Sequence, residues 1–337
     1  MKVLVTGGGG FLGRAIVRML LAQGDEPRVL GRGEQPSLVS QGITVHRGDI
    51  SESAAVHAAL TGCDAVIHTA AMIGSWGRAR DFDRVNVTGT RNVIEACRAL
   101  NVPKLVFTST PSVVHSGGDV CGVDESVPYA SSFDAHYPRT KAIAERLVLA
   151  ANDSGLSTVA LRPHLIFGPG DTQLIPRAVE RARAGRLFLP GGPPKLVDWT
   201  YIDEAASAHL LALSRLAPAA ACAGKAYFIS QGQPVAVTEL ISRAVTAAGG
   251  PALPSRRIPP PVLFASGCLA EAAFFALRIY DREPPITRFI ARRLTTAHWF
   301  DISAARRDLG FNPQITLDEA LQNVTAPPSS TQPANSP

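Results

Sequence analysis

Gly7-x-x-Gly10-x-x-Gly13 follows directly on the apolar run Lys2-Val3-Leu4-Val5 and leads into the amphipathic run Arg14-Ala15-Ile16-Val17-Arg18-Met19-Leu20-Leu21. A short, wholly apolar run reads as a buried parallel strand, and the following periodicity reads as a helix. Strand, glycine turn and helix in that order can hold a dinucleotide. The glycines allow a tight turn with positive φ and let the backbone approach a pyrophosphate closely. The start of the helix offers N–H groups and the positive end of its dipole to phosphate, with Phe11 and Leu12 among the expected cofactor-binding residues.

Further strand and helix signals alternate to about Leu161: strands over Arg28-Val29-Leu30, Ile43 to His46, Ala65 to His68 and Val102 to Phe107. The pattern predicts an α/β fold, a doubly wound parallel Rossmann sheet with a smaller C-terminal substrate-binding lobe. An acidic residue about 20 positions past the glycines would mark NAD by binding a ribose hydroxyl. That place reads Gly31-Arg32-Gly33. Arg32 suits a 2′-phosphate instead, which favours NADP over NAD. Asp49 and Ile50 are placed for the adenine edge. Thr69, Ala70 and Ala71 are small enough to let the cofactor pass the backbone. His68 reads as a core histidine at a strand end.

Tyr137-Pro138-Arg139-Thr140-Lys141 places a phenol and an ammonium four residues apart at the start of a helical run. Residues at that spacing share a helix face. A free tyrosine titrates near ~10, and a neighbouring cation is expected to lower it, making the phenol usable in proton transfer.

In this order, Thr6-Gly7-x-x-Gly10-x-x-Gly13, Gly48-Asp49-Ile50, His68-Thr69-Ala70-Ala71, Asn86-Val87-x-Gly89-Thr90, Phe107-Thr108-Ser109-Thr110, Tyr137-x-x-x-Lys141 and Arg162-Pro163 resemble the extended branch of the short-chain dehydrogenase/reductase superfamily. Within it the chain is most similar to the 3β-hydroxysteroid dehydrogenase-like group, and there to bacterial 2-alkyl-3-oxoalkanoate reductases of long-chain olefin biosynthesis. The narrower likeness rests on Ser109 to Val114, Thr140 to Arg146, Trp199 to Asp203, Lys225 to Ser230, Pro284 to Phe289 and His298-Trp299.

The resemblance implies an NADP(H)-dependent oxidoreductase that reduces the 3-keto group of a long-chain 2-alkyl-3-oxoalkanoate. The alternative it implies is a 3β-hydroxysteroid or sterol-4α-carboxylate 3-dehydrogenase, NAD-linked and oxidative. Tyr137 is the implied proton donor, Lys141 the residue holding the nicotinamide ribose, and Thr110 the catalytic hydroxyl, with Ser109 as runner-up. Asn86 is implied to stabilise its helix and hold a water near the lysine. Pro163 lines the cofactor. A substrate carboxylate would need one anion contact, for which His115, His136, His164, Arg78 and Arg80 are candidates. By the same analogy helices near 88–100 and 139–151 form a homodimer, and assembly with other olefin-pathway enzymes is an expectation.

The chain has 337 residues, 46% of them hydrophobic and 18% charged, with a net charge of +5. These values fit a globular protein, suit an acidic ligand and argue against a nucleic-acid surface. Five scattered cysteines without Cys-x-x-Cys spacing point to reduced thiols, a cytoplasmic setting and no metal site. The first strand begins at the N-terminus, so no signal peptide is expected.

The organisation expected is an NADP-binding domain over 1–162, a substrate-binding region over 163–323 of which about 203–248 returns to the Rossmann domain, and a disordered tail over 324–337. Residues 174–184 should be helical, 196–202 a continuous strand, and 236–323 a helical lobe. The apolar segment 262–277, interrupted by Glu271, suits a buried helix, a cover over an apolar substrate channel, or peripheral membrane contact.

Overall fold

A computed structural model describes residues 1–253 and 257–324. Seven parallel strands form the central sheet. The first five are β1 (Lys2–Thr6), β2 (Glu26–Gly31), β3 (Thr44–Arg47), β4 (Ala65–His68) and β5 (Lys104–Thr108). Across the sheet the order is 225–229, 157–163, β5, β4, β1, β2, β3. The chain thus starts in the middle of the sheet, winds to one edge, and crosses back to build the other. The reversal of direction beside β1 makes the crevice in which doubly wound sheets bind ligands.

Side-chain alternation divides the core. Val3 and Val5 face one layer with Ile16 and Leu210, whereas Leu4 faces the other with Val56, Val93 and Val148. Helices Phe11–Ala22 and Ile202–Arg215 cover the first face; Ser53–Leu60, Gly89–Ala99 and His136–Ala150 cover the second. His68 is a core residue. Its ring bridges Thr6 Oγ1 (2.6 Å) and Thr90 Oγ1 (3.1 Å), and burial depresses it to about 3, so it stays neutral.

The strand expected over 196–202 is broken. Leu196–Val197 joins a small four-stranded sheet with 235–236, 298–300 and 120–123, while Thr200–Tyr201 pairs with Ile166–Phe167. The break lies at two buried residues with tertiary partners. Asp198 accepts from the Phe300 amide at 2.8 Å, and Trp199 donates its indole N–H to the Gln233 carbonyl at 3.0 Å. No local pattern announces either bond.

The expected return of 203–248 to the Rossmann unit is shorter than that. Helix Ile202–Arg215 and strand Lys225–Ile229 do return, but helix Val237–Ala247 packs on Ile175–Arg183 in the second lobe. The region 236–323 is also not purely helical. It carries strand His298–Phe300, and its helix Ser303–Leu309 packs back on strand Lys225–Ile229. Of the tail expected over 324–337, all but Val324 lies outside the described residues.

Segment 262–277 falls in helix Pro260–Ala276 and its C-cap, and the expectation of a buried helix is corrected. Only Leu263, Gly267 and Glu271 are buried, whereas Leu269, Phe275 and Leu277 are more than two-thirds exposed. The buried edge is shaped for one neighbour. A Cβ on Gly267 would lie 2.8 Å from the Arg288 amide nitrogen, so only glycine permits this approach. Glu271 accepts from that amide (2.7 Å) and from Arg288 Nε (2.7 Å), tying the helix to Arg288–Thr295. Among the described residues no helix is long and apolar enough to cross a membrane.

Candidate active site

The glycine turn is built as its spacing predicts. Gly7 has φ +72°, and a Cβ there would meet the Ala70 Cα at 2.9 Å. A Cβ on Gly13 would strike the Gly7 carbonyl oxygen at 2.2 Å. The first and last glycines therefore let the turn fold on itself and against the 69–71 segment, where Thr69 Oγ1 donates to the Thr6 carbonyl at 2.7 Å. Gly10 opens the helix, and no side chain caps it. Its first N–H groups are left for an outside acceptor, with the helix dipole adding to their pull. These features fit a diphosphate.

Around this cradle the expected contacts are dispersed. Arg32 is exposed at the end of β2, and its carbonyl accepts from Arg47 Nε at 3.3 Å. Arg47, unnamed by the sequence reading, ends β3 and pairs with Glu34 at 3.6 Å. Gln35 lies over Gly9 and accepts from Arg14 at 3.2 Å. Asp49 Oδ1 receives the Ser51 amide and hydroxyl, both at 2.9 Å, and Oδ2 pairs with Arg84 at 3.3 Å. Ile50 is buried beneath Gly89, against which its side chain packs.

At the C-terminal ends of β5 and strand Ser157–Pro163 the second cluster forms. Ser109 and Thr110 leave β5, Pro163 ends its strand, and helix His136–Ala150 presents Tyr137 and Lys141. Lys141 is buried, donates to the Thr108 carbonyl at 2.5 Å and rests 3.9 Å from the centre of the Phe107 ring. Loss of hydration pulls its ammonium down to about 7, with Glu145 acting the other way. Burial pushes the Tyr137 phenol up to about 12; the Thr110 hydroxyl and the charge of Arg293 act against that rise. This corrects the expectation that Lys141 lowers the phenol. The lysine is turned to β5, and the cation acting on Tyr137 comes from the second lobe.

The two hydroxyls differ. Thr110 Oγ1 lies 3.2 Å from Ser112 Oγ and accepts from the Ser112 amide, besides engaging Tyr137. Ser109 Oγ is buried without a partner among the described residues. Asn86 is pinned at both ends of its amide: Oδ1 accepts from the Met72 amide (2.7 Å), and Nδ2 donates to the Met72 carbonyl (3.0 Å) and to Thr140 Oγ1 (2.9 Å). It lies in a π-helical turn, Asp83–Thr88, and clips the segment after β4 to the helix that carries Tyr137. Such turns recur at functional sites.

The carboxylate candidates scatter. Arg80 is exposed beside Asp81, and Arg78 lies over the Tyr280 ring at 5.3 Å. His136 is exposed with its ring 6.0 Å from that of Phe82. His115 bridges to Thr296 Oγ1 at 3.1 Å, and His164 Nε2 lies 2.7 Å from His298 Nδ1; burial lowers both histidines and keeps them neutral. Arg293, whose charge is felt at Tyr137, was not singled out by the sequence: it is one of three arginines on a short helix (288–295) with nothing in its neighbours to set it apart. A cavity of about 1040 Å³ opens beside His136, walled by Trp76, Ala272, Phe275 and Tyr280, with Arg78 and Arg288 at its edge.

Residues 4–259 match the 3-beta hydroxysteroid dehydrogenase/isomerase family. The chain is 49% identical to a 2-alkyl-3-oxoalkanoate reductase of Stenotrophomonas maltophilia, over 97% of this chain and 99% of that one. It is 34% identical to the human decarboxylating sterol-4-alpha-carboxylate 3-dehydrogenase, over 96% and 87% of the two chains. Among solved structures, a UDP-glucose 4-epimerase of Thermus thermophilus in complex with NAD superposes with a TM-score of 0.73 at 25% identity, covering 96% and 97%.

Proposed function

The chain belongs to the 3-beta hydroxysteroid dehydrogenase/isomerase family and is an oxidoreductase; on that premise we propose that it reduces the 3-keto group of a long-chain 2-alkyl-3-oxoalkanoate with NADPH, as a step in olefin hydrocarbon formation. The observation that carries this reading is that Tyr137 engages Thr110 and Lys141 reaches Thr108 at the strand ends, on a helix whose first residue, His136, lines a cavity walled by Trp76, Phe275 and Tyr280. The activity named for the relative at 49% identity supports the same substrate class.

The glycine cradle would hold a nicotinamide cofactor, which would supply a hydride for the carbonyl carbon. With its phenol held up to about 12, Tyr137 keeps its proton at neutral pH, which suits the reductive direction. It gives that proton to the carbonyl oxygen as charge develops there. Thr110 donates to the same oxygen, and Ser109 has a hydroxyl to spare for it or for the cofactor. Oriented donors at a developing oxyanion are worth about 3–4 kcal/mol each. Lys141 holds the ribose hydroxyls in its charged form. Asn86 fixes the helix through Thr140 rather than through the lysine. Arg32, free of any ion pair among the described residues, and Arg47 beside it support the 2′-phosphate of NADP.

Exposed apolar side chains on helix 260–276 support a wall for alkyl chains and, secondarily, contact with a lipid surface. A homodimer through 88–100 and 139–151 rests on analogy of fold alone.

The sterol reading is kept because of the 34% identical human relative. The test is absorbance at 340 nm with both cofactors, offering 2-alkyl-3-hydroxy acids of increasing chain length and 3β-hydroxysterols. Each buried methylene contributes about 0.8 kcal/mol, so kcat/KM should climb roughly fourfold per methylene until the wall ends. A flat series, or turnover of sterols alone, overturns the proposal.

A further inference from the structure

Helix Arg288–Thr295 carries three arginines at the edge of the site. Arg288 pairs with Glu271 and Arg292 with Asp134, each at 2.7 Å. Arg293 has no carboxylate within ion-pair distance among the described residues, and its Nη1 is buried without a hydrogen-bond partner. Its guanidinium lies 5.9 Å from the centre of the Phe289 ring.

The groups around it are neutral. His298 Nε2 donates to the Arg293 carbonyl at 2.9 Å. Its Nδ1 is then bare and accepts from His164 Nε2 at 2.7 Å, which leaves His164 Nδ1 bare, buried and unpartnered. Tyr137 is a neutral phenol, and His115 stands edge-on to His298 at 5.7 Å. This chain of imidazoles fixes the backbone of Arg293 to the end of strand 157–163. It offers the guanidinium no negative charge. Arg293 is part-buried, and a cation whose Nη1 is out of water without a partner carries a desolvation cost that an anionic ligand would offset.

We propose that Arg293 binds the carboxylate of a substrate that carries this group on the carbon next to the reacting carbonyl. The inference rests on the reading above and deepens it. In a 2-alkyl-3-oxoalkanoate one carbon separates the carboxylate from the carbonyl carbon. The sterol-4-alpha-carboxylate named for the human relative carries its carboxylate on the carbon adjacent to the 3-position. Both put an anion beside the oxygen that Tyr137 protonates. The planar fork of arginine suits the two carboxylate oxygens, while the phosphates of the cofactor belong at the glycine turn. The histidines and arginines weighed from sequence lose this role to a residue from the second lobe.

The test measures oxidation of a stable 2-alkyl-3-hydroxy acid and of its methyl ester by the wild type, Arg293→Gln and Arg293→Lys. Arg293 also acts on Tyr137, so both substrates lose some rate in the Gln variant. The expected result is a loss for the acid at least about thirtyfold greater than for the ester, with KM carrying most of the difference, and an intermediate loss in the Lys variant. Equal loss for acid and ester, or none for the acid, overturns the proposal. Calorimetric binding of a 2-alkyl fatty acid, which lacks the reacting oxygen, serves as the second arm. Wild-type protein that turns over neither acid nor ester removes the substrate reading, and the binding arm then decides for Arg293: affinity lost in Arg293→Gln upholds the anion site, equal affinity overturns it.

Discussion

Arg162 grips the Glu145 carboxylate from beneath the helix that carries Tyr137 and Lys141, with Nη2 at 2.6 Å and Nε at 3.1 Å from its two oxygens. Tyr129 adds a third donor at 2.7 Å. Glu145 lies one helical turn past Lys141 and is the one carboxylate whose charge works to hold that lysine protonated. Burial outweighs the pull of Glu145, and the lysine falls to about 7.

Glu145→Gln keeps the shape and removes the charge. Both partners are almost wholly buried, and removing one from a buried ion pair costs about 3–5 kcal/mol by leaving the other uncompensated. The unfolding midpoint in denaturant should fall accordingly. An unchanged midpoint would mean that the pair contributes nothing.

The depressed Lys141 sets a pH limb. Below about 7 it is charged and can hold ribose hydroxyls; above that it loses its proton. The value of kcat/KM, which reports ionisation in the free enzyme, should fall as pH rises through neutrality. Lys141→Arg should move that limb to higher pH, since guanidinium keeps its proton. A limb that stays put in the variant assigns it to another group.

Tyr137→Phe removes the proposed proton donor and leaves the glycine cradle untouched. Turnover should drop at least ~10²-fold with the dissociation constant for NADPH nearly unchanged. Fluorescence titration and steady-state rates measured on one preparation decide it. Equal turnover in the variant would put the proton elsewhere.

Arg32→Asp tests the cofactor. It would delete the proposed charge-assisted contact to a 2′-phosphate and add a carboxylate able to accept from a ribose hydroxyl. The ratio of NADP to NAD efficiency should fall by at least about tenfold, which is 1.4 kcal/mol. Wild-type protein already selective for NAD would refute the premise; a ratio unmoved in the variant would pass the role to Arg47.

Patterns local in the chain could be read directly. Gly7, with its positive φ, and Gly13, whose Cβ would strike the Gly7 carbonyl, sit where the turn itself allows only glycine. The alternation of Val3, Leu4 and Val5 sets the two faces of the sheet through the pleat itself. Tyr137 and Lys141 share a helix face because α-helical geometry brings i and i+4 together. Where a short-range rule applies, the residues carry the answer.

What the tertiary structure alone decided are contacts between distant segments, since no periodicity encodes which groups long-range packing brings together. Strand 196–202 breaks because Asp198 finds the Phe300 amide about a hundred residues away. Helix 260–276 has the apolar composition of a core helix, yet it packs one narrow edge against Arg288–Thr295 and leaves Leu269 and Phe275 in the open. The sequence determined that a cation stands near the phenol's helix, at Lys141. The fold turned that lysine to Thr108 and brought Arg293 to Tyr137 from more than a hundred and fifty residues away. Burial then set the charge state of each group, and burial is a property of the packed molecule.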